Sequence, residues 1–358
     1  MNKNNKKILV CMSGGIDSSL CAFLLVQKGY NVEGLFMKNW EFQNNCTIQT
    51  DFDDVKYICN KLKIILHIVN FSAEYWNKVF KTTLQTLIYG TTPNPDILCN
   101  KEIKFNLLIK YAFNILQADF LATGHYVKLQ NTLLIKSLDL NKDQSYYLYH
   151  INKYCIHKIL FPIGHYKKFE IRKMAKFICF NIYQKKESFG ICFVGNKNFS
   201  SFLNFFLPLN TGKIQTNNNI FIGQHKGIPF YTIGQKNGFI ITKFFNQTSW
   251  YVFKKNFHKN LLYVTNHHNQ FLYKNSLIAT QLHWLQNPFN NTNNNFTLFA
   301  KIRYRQIDQQ CIVYNFIYYI KVDFLYKQKS MTEGQSIVLY KNKICLGGAI
   351  IHSTYNRN

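Results

Sequence analysis

Acidic side chains are scarce in this sequence. Its 358 residues include 17 Asp and Glu against 43 Lys and Arg, which gives a formal net charge of +26. An excess of this size favours a polyanionic partner, because cationic side chains bind phosphate groups and release their counterions. The sequence is also rich in the residues of A/T-rich codons, so compositional drift is an alternative source for part of the lysine. The charge alone leaves both explanations open.

Long apolar runs are missing as well. No stretch approaches the roughly 20 apolar residues of a membrane-spanning helix, so we expect no membrane association. The basic residues 1–7 precede only a short apolar stretch, residues 8–12, which is too short for the core of a secretion signal. We therefore expect a cytoplasmic protein.

Closely spaced cysteine pairs are absent, although the sequence contains ten cysteines. Without a C-x-x-C pair there is no zinc signature, and the apolar neighbours of most cysteines indicate buried side chains instead of a secreted disulfide framework. Two positions differ. Cys99 precedes a helix predicted to begin near Lys101, where the helix N-terminus and nearby lysines would favour its thiolate. Cys192 follows Gly190 and a basic pair. At both positions a reactive thiol and a buried core cysteine remain open.

Two common nucleotide-binding signatures, G-x-x-x-x-G-K-[ST] and G-x-G-x-x-G, do not occur. The chain has instead a glycine-rich turn between an apolar run and a predicted helix, Ser13-Gly14-Gly15-Ile16-Asp17-Ser18. Such a turn brings backbone N–H groups and a helix N-terminus towards an anion. Asp17 would repel a phosphate unless it served a metal or a ribose hydroxyl, so we expect a Mg²⁺ role for it. The alternative is an ordinary turn that caps a helix.

Apolar runs and helical patterns alternate through the first third of the chain. Strands are predicted at residues 8–12, 32–37, 64–69 and 120–124, with helices between them, one of which covers residues 103–116. This repetition predicts an α/β fold whose parallel sheet is covered on both faces and carries its site at the carboxyl ends of the strands. Residues 145–205 are predicted to be mainly helical. Glycine-punctuated segments follow, and recurring short β segments between residues 298 and 351 predict a closed or nearly closed β-barrel.

The glycine-rich turn resembles the S-G-G-x-D-S PP-loop of enzymes that split ATP into AMP and pyrophosphate. Along nearly the whole chain, further stretches are similar in order and spacing to the bacterial tRNA-specific 2-thiouridylase family of the PP-loop ATPase superfamily. These stretches are residues 12–19, 34–40, 69–76, 92–105, 122–126, 141–146, 161–164, 190–193, 231–235, 301–306 and 334–336.

The resemblance implies three domains. A PP-loop catalytic domain would span residues 1–207, with a helical tRNA-contacting extension from about residue 145. A small β-rich central domain would follow at residues 208–272, and a C-terminal tRNA-binding β-barrel at residues 273–358.

The resemblance also implies a reaction. Enzymes of this family replace the C2 oxygen of the wobble uridine by sulfur in tRNAs for Lys, Glu and Gln, and they use ATP to adenylate that oxygen. Sulfur arrives as a persulfide from a sulfur carrier or a cysteine desulfurase. On this resemblance Cys192 would hold the persulfide, and Cys99 would act as a nucleophile or form a disulfide with Cys192. ATP and Mg²⁺ would be the cofactors, an Fe–S cluster stays open, and we expect a monomer whose partner is tRNA.

Residue roles follow from the same resemblance. The residues expected to bind ATP are Cys11, Met12, Ser13, Gly14, Gly15, Ile16, Asp17, Ser18, Met37 and Gly124. The residues expected at the target base or elsewhere on tRNA are Asn94, Pro95, Asp96, His125, Lys142, Asp143, Gln144, Arg303, Tyr304 and Gln335. The target base would be flipped into the pocket, since a stacked base is out of reach. Without the resemblance, a half-buried histidine, a solvated turn and an outer barrel face would explain most of the second group.

Three positions depart from the family pattern. Phe189 stands where Thr is expected, Asn237 replaces a second basic residue, and Cys11 stands where Gly is common. None of these changes removes a thiol or the Asp17 carboxylate. One alternative is another PP-loop enzyme that adenylates tRNA, such as an amide- or lysidine-forming ligase, which would need no pair of thiols. A second is a tRNA-binding protein with a decayed nucleotide site, which would not need an intact turn.

Overall fold

The computed structural model describes residues 6–40, 46–185, 199–236, 238–242, 249–266, 270–289 and 295–357. Its α-helices are α1 Ile16–Gln27, α2 Cys46–Leu62, α3 Ser72–Tyr75, α4 Lys81–Ile88, α5 Pro95–Leu98, α6 Leu108–Lys110, α7 Ser145–Leu148, α8 Lys168–Phe177 and α9 Phe199–Leu203. Segments of π-helix continue α3, α5 and α6, at Trp76–Phe80, Cys99–Leu107 and Tyr111–Ile115. Within the described ranges, no helix is both long and apolar enough to cross a bilayer.

Five parallel strands form the first sheet, in the order β3-β2-β1-β4-β7. They are β1 Lys7–Met12, β2 Asn31–Lys38, β3 Leu66–Asn70, β4 Phe120–Thr123 and β7 Ile159–Leu160. The central strand β1 contributes to two hydrophobic cores. Leu9 packs with Phe105 on one face of the sheet, while Ile8 and Val10 pack with Leu20 on the other. A sheet buried in this way brings the loops after β1, β2 and β4 to a single edge.

The second sheet is small and has the strand order β10-β9-β8-β12-β11. Its strands are β8 Gly212–Thr216, β9 Phe221–His225, β10 Ile240–Ile241, β11 Trp250–Asn256 and β12 Leu261–Asn266. Neighbouring strands are antiparallel, except that β8 and β12 are parallel. One face is apolar and buries Ile214, Ile222, Val252, Leu262 and Val264.

The third sheet closes into a barrel of antiparallel strands, because β13 pairs with both β16 and β18. The barrel strands are β13 Tyr273–Trp284, β14 Asn295–Lys301, β15 Gln309–Asn315, β16 Tyr319–Lys329, β17 Ser336–Lys341 and β18 Ile344–Tyr355. A hairpin that follows β4 in the chain, β5 Val127–Gln130 and β6 Leu133–Lys136, extends this sheet through the pairing of Ile135 with Ile344. The barrel is therefore continuous with the chain that directly follows β4.

A buried polar network joins the barrel to helix α7. The Asp143 carboxylate accepts hydrogen bonds from Ser137 N at 3.1 Å and from Ser145 Oγ at 2.7 Å, and the Ser145 hydroxyl lies 3.2 Å from the Tyr340 hydroxyl. Lys136 Nζ lies 3.9 Å from the centre of the Tyr340 ring. Because buried polar groups are costly unless they are satisfied, this network fixes the barrel relative to the parallel sheet.

The structure confirms the predicted α/β fold, the four predicted strands of the parallel sheet and the closure of the C-terminal barrel. It corrects the helix predicted over residues 103–116, which begins earlier, at Pro95, and continues through π-helical segments, with a kink at Phe105, to Ile115. The sequence does not predict the hairpin β5–β6, whose turn takes positive φ angles at Asn131 and Thr132. The three domain boundaries stay predictions.

Replacing Asp143 by alanine should destabilise the fold. The change leaves the buried donors of Ser137 and Ser145 without their acceptor, which we expect to lower the free energy of unfolding by about 3 kcal/mol. Chemical unfolding followed by circular dichroism measures the loss. Asp53, which is exposed on α2, provides the control, since Asp53→Ala should change stability by less than about 0.5 kcal/mol. Equal effects of the two substitutions would contradict the role assigned to the network.

Candidate active site

The turn after β1 forms a cradle of backbone donors at the carboxyl edge of the parallel sheet. Gly14 has a φ of +73°, and a Cβ there would lie 2.5 Å from the Asp51 carbonyl oxygen, so the position requires glycine. Gly15 is the N-cap of helix α1, and no side-chain hydrogen bond caps this helix. Its first N–H groups therefore remain available to a ligand. This arrangement fits the phosphate groups of ATP.

Two other predicted nucleotide-binding positions lie at the same edge. A Cβ on Gly124, which follows β4, would approach Ser18 N and the Asp17 carbonyl carbon to 2.8 Å, so the loop after β4 lies directly against the N-terminus of α1. Met37 lies near the carboxyl end of β2, the neighbour of β1 in the sheet. The structure thus brings the turn, Gly124 and Met37 together.

Asp17 is bound by a cation from helix α8. Lys168 Nζ donates to both carboxylate oxygens of Asp17 at 2.7 Å, and the Tyr126 hydroxyl donates to Oδ1 at 2.7 Å. Lys168 is only 8% exposed, which strengthens the ion pair. The pair neutralises a carboxylate that would otherwise repel phosphate at the turn. A divalent cation at Asp17 would have to displace Lys168, so these residues as arranged do not fit the Mg²⁺ site expected at Asp17.

A second lysine ties the turn to helix α2. Lys185 Nζ donates to the Gly14 carbonyl oxygen at 3.1 Å and to the Asp51 carboxylate at 2.7 Å, and it also contacts Asp54. Burial lowers the pKa of Lys185, but its hydrogen bonds to Asp51 and Asp54 outweigh burial and raise the pKa overall. Lys185 therefore stays protonated and holds the turn from its outer side. Sequence reasoning missed both Lys168 and Lys185, because their partners lie far away in the chain.

The proline-rich segment before α5 is held by the barrel. Thr92 N donates to the Glu333 carbonyl oxygen at 2.9 Å. The Gln335 side-chain amide donates to the Thr92 carbonyl oxygen at 3.1 Å and to the Pro93 carbonyl oxygen at 2.9 Å. Gln335, expected at the tRNA, therefore has its amide group engaged in positioning residues 92–93.

Asn94 and Asp96 follow directly and begin helix α5. The Asn94 side-chain oxygen accepts a hydrogen bond from Ile97 N at 3.3 Å and so caps the helix, with Pro95 in its first turn. Asp96 also lies in that first turn and is partly buried. The Asn94 oxygen is committed to the cap, which leaves the Asp96 carboxylate as the acceptor that this segment offers to a base.

Cys99 lies within the helix, and the expectation that it precedes the helix is wrong. The helix begins at Pro95 and continues as π-helix from Cys99. The stabilisation of a thiolate by a helix N-terminus falls off within the first turn, so it is weaker at Cys99 than the sequence suggests. Cys99 is buried in an aromatic cluster with Trp40, Phe80 and Phe202. The adjacent Asn100 Oδ1 is buried and has no hydrogen-bond partner among the described residues.

One ammonium group, that of Lys104, acts on three of the predicted site residues. Burial raises the pKa of the Cys11 thiol to about 12 and also raises the pKa of Asp96, and the charge of Lys104 opposes both shifts. Burial, helped by the same charge, holds the pKa of His125 far below its usual value, so the ring is neutral at pH 7. The His125 ring packs 5.8 Å from the Phe105 ring. The charge of Lys104 is therefore felt at the end of β1, in the loop after β4 and in helix α5.

The side chains of Asp143 and Gln144 are engaged inside the protein. Asp143 is 2% exposed, and its carboxylate is used in the network beneath the barrel. The Gln144 side-chain oxygen accepts from Tyr126 N at 2.9 Å, and Gln144 N donates to the Tyr126 carbonyl oxygen at 2.9 Å. The Asp143 carboxylate is therefore not accessible to a polyanion, and the tRNA contact expected at this residue stays a prediction.

Lys142, Arg303 and Tyr304 lie together at the surface beside this loop. The exposed Arg303 donates from Nη2 to the Ser330 carbonyl oxygen at 2.7 Å. The Tyr304 hydroxyl donates to the Lys142 carbonyl oxygen at 3.3 Å. This hydrogen bond brings a strand end of the barrel next to the loop before α7.

Cys192, and with it the predicted Cys99–Cys192 disulfide, lies outside the described residues, as do Phe189 and Asn237. The residues on either side of the segment that contains Cys192 are described. Lys185 contacts the glycine-rich turn, and Phe202 of α9 packs in the aromatic cluster around Cys99. In the part of the chain that the structure describes, no three side chains of the metal-ligating types come together.

Three family models match consecutive parts of the chain. Their descriptions are tRNA methyl transferase HUP domain for residues 6–196, tRNA methyl transferase PRC-barrel domain for residues 200–266, and aminomethyltransferase beta-barrel domain for residues 274–351. Together they cover nearly the whole described chain.

Three relatives are similar over almost their full lengths, and each is named tRNA-specific 2-thiouridylase MnmA. The relative from Buchnera aphidicola subsp. Baizongia pistaciae is 48% identical over 98% of each chain. The relative from Legionella pneumophila is 45% identical over 96% of this chain and 98% of its own, and that from Salmonella arizonae is 44% identical over 98% of each. A solved structure, the U34-tRNA thiolase NcsA from Methanococcus maripaludis, shares 16% identity over 52% of this chain and 62% of its own, with a TM-score of 0.36, which is too low to carry an argument.

Replacing Lys168 by methionine should weaken ATP binding by roughly 30-fold, because an uncompensated Asp17 carboxylate would then face the triphosphate. If neutralisation is the role of Lys168, the double variant Asp17→Asn with Lys168→Met should recover most of the affinity. Equilibrium binding of ATP measures both effects. Lys173→Met, at an exposed position of the same helix, is the matched control and should bind normally. A double variant as weak as Lys168→Met alone would show that Lys168 contacts the phosphates directly.

Proposed function

The chain belongs to the MnmA family of tRNA-specific 2-thiouridylases, and from that premise we propose that it uses ATP to convert the wobble uridine of tRNAs for Lys, Glu and Gln into 2-thiouridine. The enzyme is a tRNA-uridine 2-sulfurtransferase. The finer proposal concerns mechanism: ATP adenylates the C2 oxygen of the uridine, and a cysteine persulfide then delivers the sulfur.

The observation that carries this proposal is the meeting of three segments around Lys104. Cys11 ends the strand that leads into the phosphate cradle, His125 follows Gly124 beside that cradle, and Asp96 belongs to the segment proposed for the target base. The charge of Lys104 acts on all three groups. The His125 ring packs 5.8 Å from the ring of Phe105, the neighbour of Lys104, so the proposal is that a nucleotide at the cradle and a base at Asp96 come close enough to react, as proximity catalysis requires.

The first proposed step is adenylation. The Asp96 carboxylate accepts the N3 proton of the uracil, and the C2 oxygen attacks the α-phosphorus of ATP. The bond between oxygen and phosphorus forms while the bond from the α-phosphorus to the bridging oxygen breaks, and pyrophosphate leaves. The raised pKa of Asp96 makes it a better base for this step. The N–H groups at the start of α1 stabilise the pyrophosphate as its charge develops.

The second proposed step transfers sulfur. The terminal sulfur of a persulfide on Cys192 attacks C2, the bond from C2 to oxygen breaks, and AMP leaves with that oxygen. Cys99 then attacks the Cys192 sulfur, the bond to the transferred sulfur breaks, and a Cys99–Cys192 disulfide forms. The proton held by Asp96 returns to N3. A thiol reductant restores the two cysteines, and a sulfur carrier or cysteine desulfurase restores the persulfide.

The tRNA is proposed to lie across the junction of the parallel sheet and the barrel. Lys142, Arg303 and Tyr304 would contact its backbone there, because phosphates set the position of a nucleic acid without reading its sequence. Asp143, Gln144 and Gln335 would hold this surface in place from beneath. The predicted domains, with boundaries at residues 207 and 272, are kept as part of the proposal.

Replacement of Cys192 and replacement of Cys99 should block the reaction at different steps. Cys192→Ser should lower the 2-thiouridine yield more than about 100-fold in an assay with unmodified tRNA, ATP and a persulfide source, since no sulfur reaches C2. Cys99→Ser should instead accumulate tRNA joined to the protein through a disulfide at Cys192, visible on a denaturing gel and released by dithiothreitol. Cys179→Ser, at an exposed cysteine, should behave like the unmodified enzyme. Normal thiolation by Cys192→Ser would contradict the assignment of Cys192 as the persulfide carrier.

The pH dependence should report the Asp96–Lys104 pair. Burial raises the pKa of Asp96, and the charge of Lys104 opposes that rise. Removing the charge by Lys104→Met should raise this pKa further, so the acid limb of the adenylation rate should move to higher pH. Lys101→Met provides a control at an exposed position of the same helical segment. An acid limb that stays in place in Lys104→Met would rule out Asp96 as the titrating group.

A further inference from the structure

A cleft of about 590 Å³ lies where three modules meet, namely the parallel-sheet part of the chain, the second sheet and the barrel, and it is away from the glycine-rich turn. The residues after α4, including Tyr89 and Thr91, form one wall. Strand β11 of the second sheet forms another, and the barrel closes the cleft with residues near the start of β13 and residues 330–333. Phe257, which follows β11, packs against Gly90, so close that a Cβ at Gly90 would overlap the ring. The cleft thus exists only when all three modules are assembled.

The cleft has a surplus of positive charge. Three lysines line it, Lys254, Lys255 and Lys274, against one carboxylate, Glu333. Lys255 Nζ donates to the Tyr231 carbonyl oxygen at 2.9 Å, and Lys274 Nζ donates to the carbonyl oxygen and the hydroxyl of Thr354 at 2.8 and 2.7 Å.

Neutral acceptors such as these leave the lysine charges uncompensated. Burial lowers the pKa of Lys255 to about 8, and the charge of Glu333 opposes that shift only in part. Burial lowers the pKa of Lys274 as well. A bound anion would relieve this cost of burying positive charge, so the cleft favours a negatively charged ligand.

Aromatic rings line the same cleft. Phe253 of β11 and Phe271, in the turn before β13, are stacked, with ring centres 5.0 Å apart and an interplanar angle of 22°. Phe271 is 40% exposed and Tyr89 is 82% exposed, so both present ring surface to a ligand. Lysines beside exposed rings are the combination that binds single-stranded nucleic acid, because phosphates meet the ammonium groups while bases stack on the rings.

The cleft is connected to the proposed base site by a short, rigid piece of chain. Thr91 lies in its wall, and the barrel fixes Thr92 and Pro93 through Glu333 and Gln335. Asp96 follows Thr91 by five residues, which span at most about 18 Å. A strand whose target base lies at Asp96 would therefore have its neighbouring nucleotides within reach of the cleft.

We propose that this cleft binds the RNA strand that flanks the target uridine, with its phosphates at Lys254 and Lys274 and an unpaired base on the ring of Phe271. The identification of the flanked nucleotide as the target uridine rests on the proposed function, whereas the binding of RNA at the cleft does not.

The test measures binding of unmodified tRNA at several salt concentrations. The double variant Lys254→Gln with Lys274→Gln should bind about tenfold more weakly near 0.1 M salt, and the slope of log affinity against log salt should fall by about 1.4–1.8, at 0.7–0.9 for each phosphate that the variant no longer neutralises. Phe271→Ala should weaken binding about fivefold to tenfold with an unchanged salt slope, because stacking releases no counterions. Lys259→Gln, in the exposed turn after β11, is the matched control and should stay within twofold.

Lys254 is exposed, and its ammonium group lies 5.8 Å from the centre of the Tyr263 ring, a contact of small energy at an exposed site, so Lys254→Gln alone separates loss of binding from loss of folding. It should reduce the salt slope by about half as much as the double variant. Unchanged affinity and slope in both lysine variants would overturn the proposal. Binding of free ATP or AMP that is lost in the lysine variants, while their tRNA binding is unchanged, would also overturn it and assign the cleft to a small nucleotide. If the unmodified enzyme binds tRNA through the cleft but never thiolates it, the proposed function fails while this inference stands.

Discussion

The hydrogen bonds from Gln335 to the carbonyl oxygens of Thr92 and Pro93 are the interactions on which the arrangement of the site depends. Proline lacks a backbone N–H, so a segment with prolines at positions 93 and 95 cannot satisfy its backbone by joining a strand or the interior of a helix. Its carbonyl groups need donors from elsewhere, and the barrel supplies them. The segment that leads to Asp96 and Cys99 therefore takes its position from a module more than two hundred residues further along the chain.

Charge compensation is the second constraint. A carboxylate at the phosphate cradle is compatible with ATP because Lys168 neutralises its charge and Tyr126 donates a hydrogen bond to it. The cradle keeps its shape because Lys185 holds Gly14 against α2. The cleft between the modules lacks such pairing of each lysine with a carboxylate, because Lys255 and Lys274 donate hydrogen bonds to neutral carbonyl oxygens there. Ion pairs such as Lys168–Asp17 cancel in the net charge of +26, so this excess is carried by other cationic residues, and the lysines of the cleft are proposed to face a polyanion.

The parallel sheet and the glycine-rich turn could be predicted because short local sequence patterns determine both. Apolar runs specify β1, β2 and β4, and two adjacent glycines between a strand and a helix specify the turn. The sequence predicts the helix start near Lys101, which is too late, because two prolines in three residues indicate extended chain. Asn94 and Pro95 are, however, also a strong helix start. Lys168, Lys185 and Lys104 could not be recognised, because nothing near a lysine in sequence reveals a carboxylate brought to it by folding. The burial of Asp143 was hidden for the same reason.

The central claim is that the C2 oxygen of the uridine leaves on AMP. It can be tested most directly with tRNA that carries ¹⁸O at C2 of the wobble uridine, using ATP of natural isotopic composition and a persulfide source. Mass spectrometry of the AMP formed during a single turnover follows the label. The account predicts one ¹⁸O atom in the phosphate of each AMP released per 2-thiouridine formed. Unlabelled AMP, with the ¹⁸O recovered in water or kept in the tRNA, would contradict it.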